Sequence, residues 1–229
     1  MTAPFPQFRP VADQAVLVEF GDAINDESYA QVRSLDAKLA QNPFVGFTEA
    51  VPAYVSLLVA FDAMITDHEA VVLALQALLS SPTLPSPTGI LRAVEVCYDA
   101  DIAPDLDAVV TQTGLSRDAV IAAHLAQTYQ VVMYGFAPGY AYLGGLPSAL
   151  HLPRKPSAKR GVAAGSVIIA GAQCLITTLT MPTGWWVIGR SPTRILLDDP
   201  ARPFLFDVGD TLRFKRIDRA SFDAKSHVQ

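Results

Sequence analysis

From Tyr129 onward the chain is cut into short apolar runs, YQVVMYG, VAAGSVIIAG, CLITTLT, WWVIG, RILLDD and TLRFKRI, separated by glycine, proline or charge. Runs this short do not sustain packed helices, and the punctuation recurs too often for a helix to pass through it. The pattern predicts many short strands with frequent turns, closed into a barrel or packed as a sandwich.

The first third reads differently. Residues 16–20 (VLVEF) read as a strand, and residues 26–41 place Tyr29, Val32, Leu35 and Leu39 at helical spacing, with Asn25 or Asp26 as cap and Asn42-Pro43 as the stop. Two strands follow at 47–53 and 54–61, then a helix at 68–79 capped by Thr66 or Asp67, then a strand at 93–98 (AVEVCY). That order, β-α-β-β-α-β, is the split, ferredoxin-like motif. SSPTLPSPTG, residues 80–89, has three prolines and no large apolar cluster, which marks it as the linker, so the strand after it can belong to either side. The expected division is an N-terminal α+β domain, 1–86, and a β-rich domain, 87–229, the latter beginning with short helices at 105–112 and 116–126, the second capped by Ser116.

Composition narrows the function classes. With 51% hydrophobic and 17% charged residues the chain can bury a substantial core, and a net charge of -5 excludes a generally basic nucleic-acid binder. Cys97 and Cys174 form no CxxC and no zinc spacing, so they read as buried thiols in a reducing cytoplasm. The opening MTAPFPQFRPVADQ lacks the pattern of a signal peptide. The uncharged span 161–189 is long enough to cross a bilayer, but its glycines, proline and threonines read as strands and turns rather than a membrane helix.

The average charge hides an asymmetry. Residues 119–197 contain no Asp or Glu, yet include Arg154, Lys155, Lys159, Arg160, Arg190 and Arg194. Cations without nearby carboxylates suit an anion site, and arginine grips carboxylate or phosphate with two parallel hydrogen bonds. The glycines of GYAYLGG fit neither GxGxxG nor a P-loop, the four histidines show no ligand spacing, and Ser166 in AAGSV reads as a turn serine rather than a nucleophile. Tyr134, Tyr140, Tyr142, Trp185 and Trp186 are candidate pocket walls, Phe136 reads as plain core, and Tyr142 and Gln173 offer hydrogen bonds to a small polar ligand. No carboxylate follows in this window until Asp198 and Asp199, so magnesium-dependent phosphoryl chemistry would need ligands from another chain.

GFAPGYAYLGGLP, PRKPSAKRGVAAGSVIIAGAQ, PTGWWVIGRSP and VGDTLRF, with AVLVEFGDAI and EAVPAYVSLLVAFD earlier, resemble the family that contains the 5-oxoprolinase B subunit, allophanate hydrolase subunit 1 and the sporulation-kinase inhibitor. The resemblance covers nearly the whole chain. It implies an N-terminal α+β domain followed by a cyclophilin-like β-barrel, and work beside a homologous C-type subunit and an A-type subunit, with ATP and Mg2+ held in the complex. The implied reaction opens the lactam of 5-oxoproline, or a related cyclic amide or ureido compound, to glutamate. A urea-carboxylase-type subunit and a histidine-kinase inhibitor acting by binding are the alternatives within the family. On this reading Tyr142, Gln173 and Arg190 are catalytic, and Gly139, Tyr140, Arg154, Arg160, Ser166 and Trp185 surround substrate or phosphate, with no metal ligand from this chain. The sequence departs from the family pattern at Leu175 and Thr183, where glycine is usual, and at Ala163, where proline is usual.

Overall fold

The structure, a computed structural model, describes residues 4–82 and 89–226. Its contacts divide the chain into two compact units, Met1–Pro87 and Thr88–Gln229. The expected 86/87 boundary and most of the expected linker lie outside the described residues.

In the first unit, strands β1 (Gln7–Val11), β2 (Ala15–Glu19), β3 (Phe47–Pro52) and β4 (Ser56–Phe61) form an antiparallel sheet in the order β1-β2-β4-β3. Helix α1 (Asp26–Gln41) begins where Asn25 accepts a hydrogen bond from Ser28 N at 2.8 Å, and α2 (His68–Ser80) where Asp67 accepts from Ala70 N at 2.9 Å. The helical spacing puts Val32, Leu35 and Leu39 of α1 and Val71 and Leu75 of α2 into one core with Val16, Val18, Leu57, Val59 and Phe61 of the sheet. The buried Lys38 ammonium donates to the carbonyls of Leu78 and Ser81, both at 2.9 Å, closing off the end of α2.

The split motif expects the strand after α2 beside β2. Instead β1, which the alternation of QFRPV does not announce, occupies that edge. Pro10 is tolerated there because an edge strand leaves one side without a ladder partner. The strand after α2, β5 (Leu91–Val96), joins the second unit, where Val94 and Val96 are fully buried.

There, a seven-stranded sheet runs β12-β9-β10-β7-β6-β13-β5. Its strands are β6 (Tyr129–Tyr134), β7 (Ala141–Gly144), β9 (Ser166–Ala170), β10 (Gln173–Ile176), β12 (Trp186–Arg190) and β13 (Thr211–Arg216), with β5 parallel to β13. Just past β5, Cys97 and Arg190 exchange both backbone hydrogen bonds at 2.9 Å, so the two edges meet and the sheet is nearly closed. β8 (Lys159–Val162) and β11 (Met181–Thr183) form a separate two-stranded ribbon.

The run SVIIA of β9 is buried at every position because both of its faces are covered. Val167 and Ile169 join a large core with Cys174, Ile176, Ile188 and residues of α3 (Leu106–Thr113) and α4 (Arg117–Leu125). Ile168 and Ala170 join a smaller one with Leu175, Val187, Tyr140 and Trp185. Among the described residues no helix is long and apolar enough to cross a membrane.

His124 of α4 lies wholly inside the large core. Its Nδ1 is 2.8 Å from the Tyr98 hydroxyl, its Nε2 3.6 Å from the Cys174 sulfur, and its ring stacks on Phe214. Burial pushes its pKa down to about 3, so it folds as the neutral imidazole. The unfolded chain takes up a proton near pH 6.5 that the native state refuses, so stability is complete above that pH and declines as pH falls toward 3. Between pH 6.5 and 5 this predicts a loss of about 2 kcal/mol in urea unfolding, absent from a His124→Gln variant. Equal slopes in the two proteins would contradict it.

Candidate functional site

The connection between β6 and β7 is a tight double turn. Tyr140 N donates to Ala137 O at 3.1 Å, placing Pro138-Gly139 at the centre of a β-turn, and Gly139 sits at φ +72°. That conformation favours glycine, and an added Cβ would lie 2.7 Å from the end of the Leu196 side chain, which would have to shift. Thr178 Oγ1 fastens the turn by donating to Pro138 O at 2.6 Å. Strand alternation then sends Tyr140 and Tyr142 to the same face. The Tyr142 ring meets that of Trp185 edge-on at 5.9 Å.

Arg154 approaches from a loop pinned on both sides of it. Trp186 Nε1 donates to Pro153 O at 2.7 Å, and Lys155 N donates to Gly184 O at 2.7 Å. Lys155 Nζ forms a largely buried ion pair, 2.6 Å long, with Asp105 Oδ2, an atom that also accepts from Val187 N at 2.9 Å. The expectation that the basic cluster lacks partners therefore fails at Lys155. Its carboxylate comes from 50 residues upstream, outside the acid-free window. Arg194 is paired as well, with Asp198 at 2.5 Å. The Arg154 guanidinium lies 5.9 Å from the centroid of Trp185, and among the described residues no carboxylate pairs with it.

These groups enclose a cavity of about 160 Å³ whose walls are Phe136, Tyr140, Tyr142, Arg154 and Trp185 and whose floor includes Ile168 and Leu175. Two of the three positions that depart from the family pattern, Leu175 and Thr183, line it. Burial pushes the Tyr140 hydroxyl up to about 12, and it raises that of Tyr142 against the opposing pull of Arg154. Both are neutral donors at pH 7. The cavity thus offers ring faces, two phenols and one free cation to a small anion, and its size is below the ~300–1,000 Å³ of sites that take drug-sized molecules. Phe136 is not core as expected: it is 76% exposed at the mouth.

Tyr140, Tyr142, Arg154 and Trp185 of the expected site come together in this way, and Gly139 shapes the turn before them without lining the cavity, whereas four others stand apart from it. Gln173 opens β10 and by alternation shares the face of Leu175, but does not line the cavity. Arg160 is exposed on β8. Ser166 is buried, its Oγ donating to Ala163 O at 2.8 Å in the turn that Gly165 forms at φ +81°. Arg190 donates from Nε to Ala164 O at 2.9 Å and lies over the Phe222 ring, facing a second, polar recess with Thr178, Thr193 and Arg194. Among the described residues, no group of three His, Cys, Asp or Glu side chains is placed to hold a metal ion. Sequence reasoning missed Phe136 and Asp105. The first is signalled only by its place just before a Pro-Gly turn, and the second by nothing local.

The carboxyltransferase domain family, subdomain C and D, matches residues 6–206. Over 230 residues the chain is 33% identical to the 5-oxoprolinase B subunit of Bacillus subtilis (strain 168), covering 95% of each protein. The crystal structure of TTHA0988, at 32% identity, superposes with a TM-score of 0.76 over 90% of this chain and 40% of that longer one. Urea carboxylase of Kluyveromyces lactis, at 17% identity, shares the fold with a TM-score of 0.76 over 95% of this chain and 22% of its own.

Removing the Asp105 carboxylate leaves a buried ammonium unpaired. Asp105→Asn is predicted to lower the unfolding free energy by about 3 kcal/mol, and Asp105→Asn with Lys155→Met to recover much of it, as read from urea midpoints. A double variant no more stable than the single one would show that the ion pair is not what holds this loop.

Proposed function

The chain belongs to the carboxyltransferase domain family, subdomain C and D, and from that premise we propose that it is the B-type subunit of a 5-oxoprolinase-like complex, binding a small cyclic amide that bears a carboxylate. The observation that carries this reading is the aromatic cavity with one unpaired guanidinium. 5-Oxoproline is flat over its lactam amide, and its carboxylate carries one negative charge. Its carboxylate matches Arg154, its ring faces match Tyr142 and Trp185, and the neutral phenols can donate to its carbonyl oxygen.

A lactam is a poor electrophile, and opening it to glutamate by way of ATP requires activation at the amide oxygen. The cavity does not fit the nucleotide: it is too small for a triphosphate, and among the described residues no carboxylate lines it to hold Mg2+. In this reading ATP and Mg2+ reside on partner subunits, a homologous C-type and an A-type, and this chain binds and orients the ring. Alone it binds without turnover. The buried thiols of Cys97 and Cys174 accord with a cytoplasmic setting.

The test is to co-purify the chain with its C-type and A-type partners and measure ATP-dependent glutamate release from 5-oxoproline. Arg154→Ala in the assembled complex is predicted to raise KM at least tenfold, the order of a lost charge-assisted contact. An intact complex that leaves 5-oxoproline untouched but opens another small lactam or ureido ring would reassign the substrate, in keeping with the bulk that Leu175 and Thr183 add to the cavity wall. Unchanged kinetics in Arg154→Ala would remove the cavity from the reaction.

A further inference from the structure

Phe136 combines two unfavourable features that the fold does not require. Its backbone is held at φ +70°, a region disfavoured for a residue with a Cβ, and its side chain is 76% exposed. The local hydrogen bonds show why the conformation persists. Ala137 N donates to Gly135 O at 2.9 Å, making Phe136 the middle residue of a three-residue γ-turn in its positive-φ form, which is rare and strained. Reversal of the chain is accomplished by the Pro138-Gly139 turn that follows, and the hairpin is closed by Gly135 N donating to Tyr140 O at 3.3 Å. Glycine at position 136 would serve the backbone better. What the γ-turn adds is the placement of a phenyl ring at the mouth of the cavity, 5.7 Å from Tyr140 and tilted by 55° to it, in the wall that also holds Tyr142, Arg154 and Trp185.

Strain of this kind persists where the surrounding structure imposes it, and an exposed apolar ring beside a cavity gains from being covered. The free cation of the same cavity fixes the sign of what covers it. We propose that Phe136 is a specificity-determining wall of this cavity, its ring packing on the flat face of a small cyclic anion whose carboxylate meets Arg154. The proposal rests on the ligand reading given above and adds a selection rule. A planar ring gains contact over its whole face, whereas a puckered saturated ring of the same size and charge touches Phe136 at a few atoms.

Calorimetric titration of the full chain with 5-oxoproline, with benzoate as a flat anion lacking the lactam, and with cyclopentanecarboxylate as a puckered anionic ring tests this. For the wild type, the two flat ligands bind at least tenfold more tightly than cyclopentanecarboxylate. Phe136→Leu and Phe136→Gly each lose tenfold or more for both flat ligands, and Phe136→Trp keeps them. Phe136→Gly melts at or above the wild-type temperature, which a residue kept for packing alone would not do. Benzoate binding that depends on Phe136, without any 5-oxoproline binding, upholds the wall and removes the 5-oxoproline reading. Flat-ligand affinity unchanged in both truncations, a lower melting temperature for Phe136→Gly, or no binding of any of the three ligands to the wild type overturns the inference.

Discussion

The Asp105 carboxylate sits at the start of α3, where an aspartate would ordinarily cap the helix, yet it makes no capping hydrogen bond. It accepts instead from Val187 N on β12 and from the Lys155 ammonium, while its own N–H donates to Val187 O at 3.1 Å. One side chain thereby joins a helix, a strand of the nearly closed sheet and the loop that carries Arg154. The neighbouring cation is neutralised and the adjacent one is left free. The loop that carries Arg154 takes part of its anchoring from that pair.

The cavity follows from the same arrangement. With the loop pinned through Pro153 and Lys155, the guanidinium has Trp185 beneath it, and the β6–β7 turn sets Tyr140 and Tyr142 opposite. Arg190, which carries as much formal charge, is committed to the fold: its backbone closes the sheet against Cys97 and its side chain holds Ala164. Two arginines of one acid-free window thus divide into a structural group and one available to a ligand. In the function proposed above, that available group meets the carboxylate of a small cyclic amide.

What was legible in the sequence was largely local. The bounds of α1 and α2 and the caps Asn25, Asp67 and Ser116 are written in a few adjacent residues, and the structure places them there. The strand character of the second unit and its resemblance to a cyclophilin-like barrel also agree with the nearly closed sheet. Long-range pairings were not legible. The exchange of β1 for β5 at the edge of the first sheet depends on which core buries Val94 and Val96, and the pairing of Lys155 with Asp105 spans 50 residues. Within the site, the aromatics of the glycine-rich stretch made Tyr140 and Tyr142 candidate walls, together with Tyr134 and the two tryptophans. Charge counting alone could not tell Arg154 from Arg160 or Arg190, because only the fold decides which cation meets a wall of rings.

The central claim is that this cavity, with Arg154 as its one free charge, is where a small cyclic anion binds. A crystal structure of the chain soaked with 5-oxoproline tests it most directly. The account predicts the ligand carboxylate on the Arg154 guanidinium with the ring among Phe136, Tyr142 and Trp185. A ligand bound instead in the recess beside Arg190, with the aromatic cavity holding only water, would contradict it.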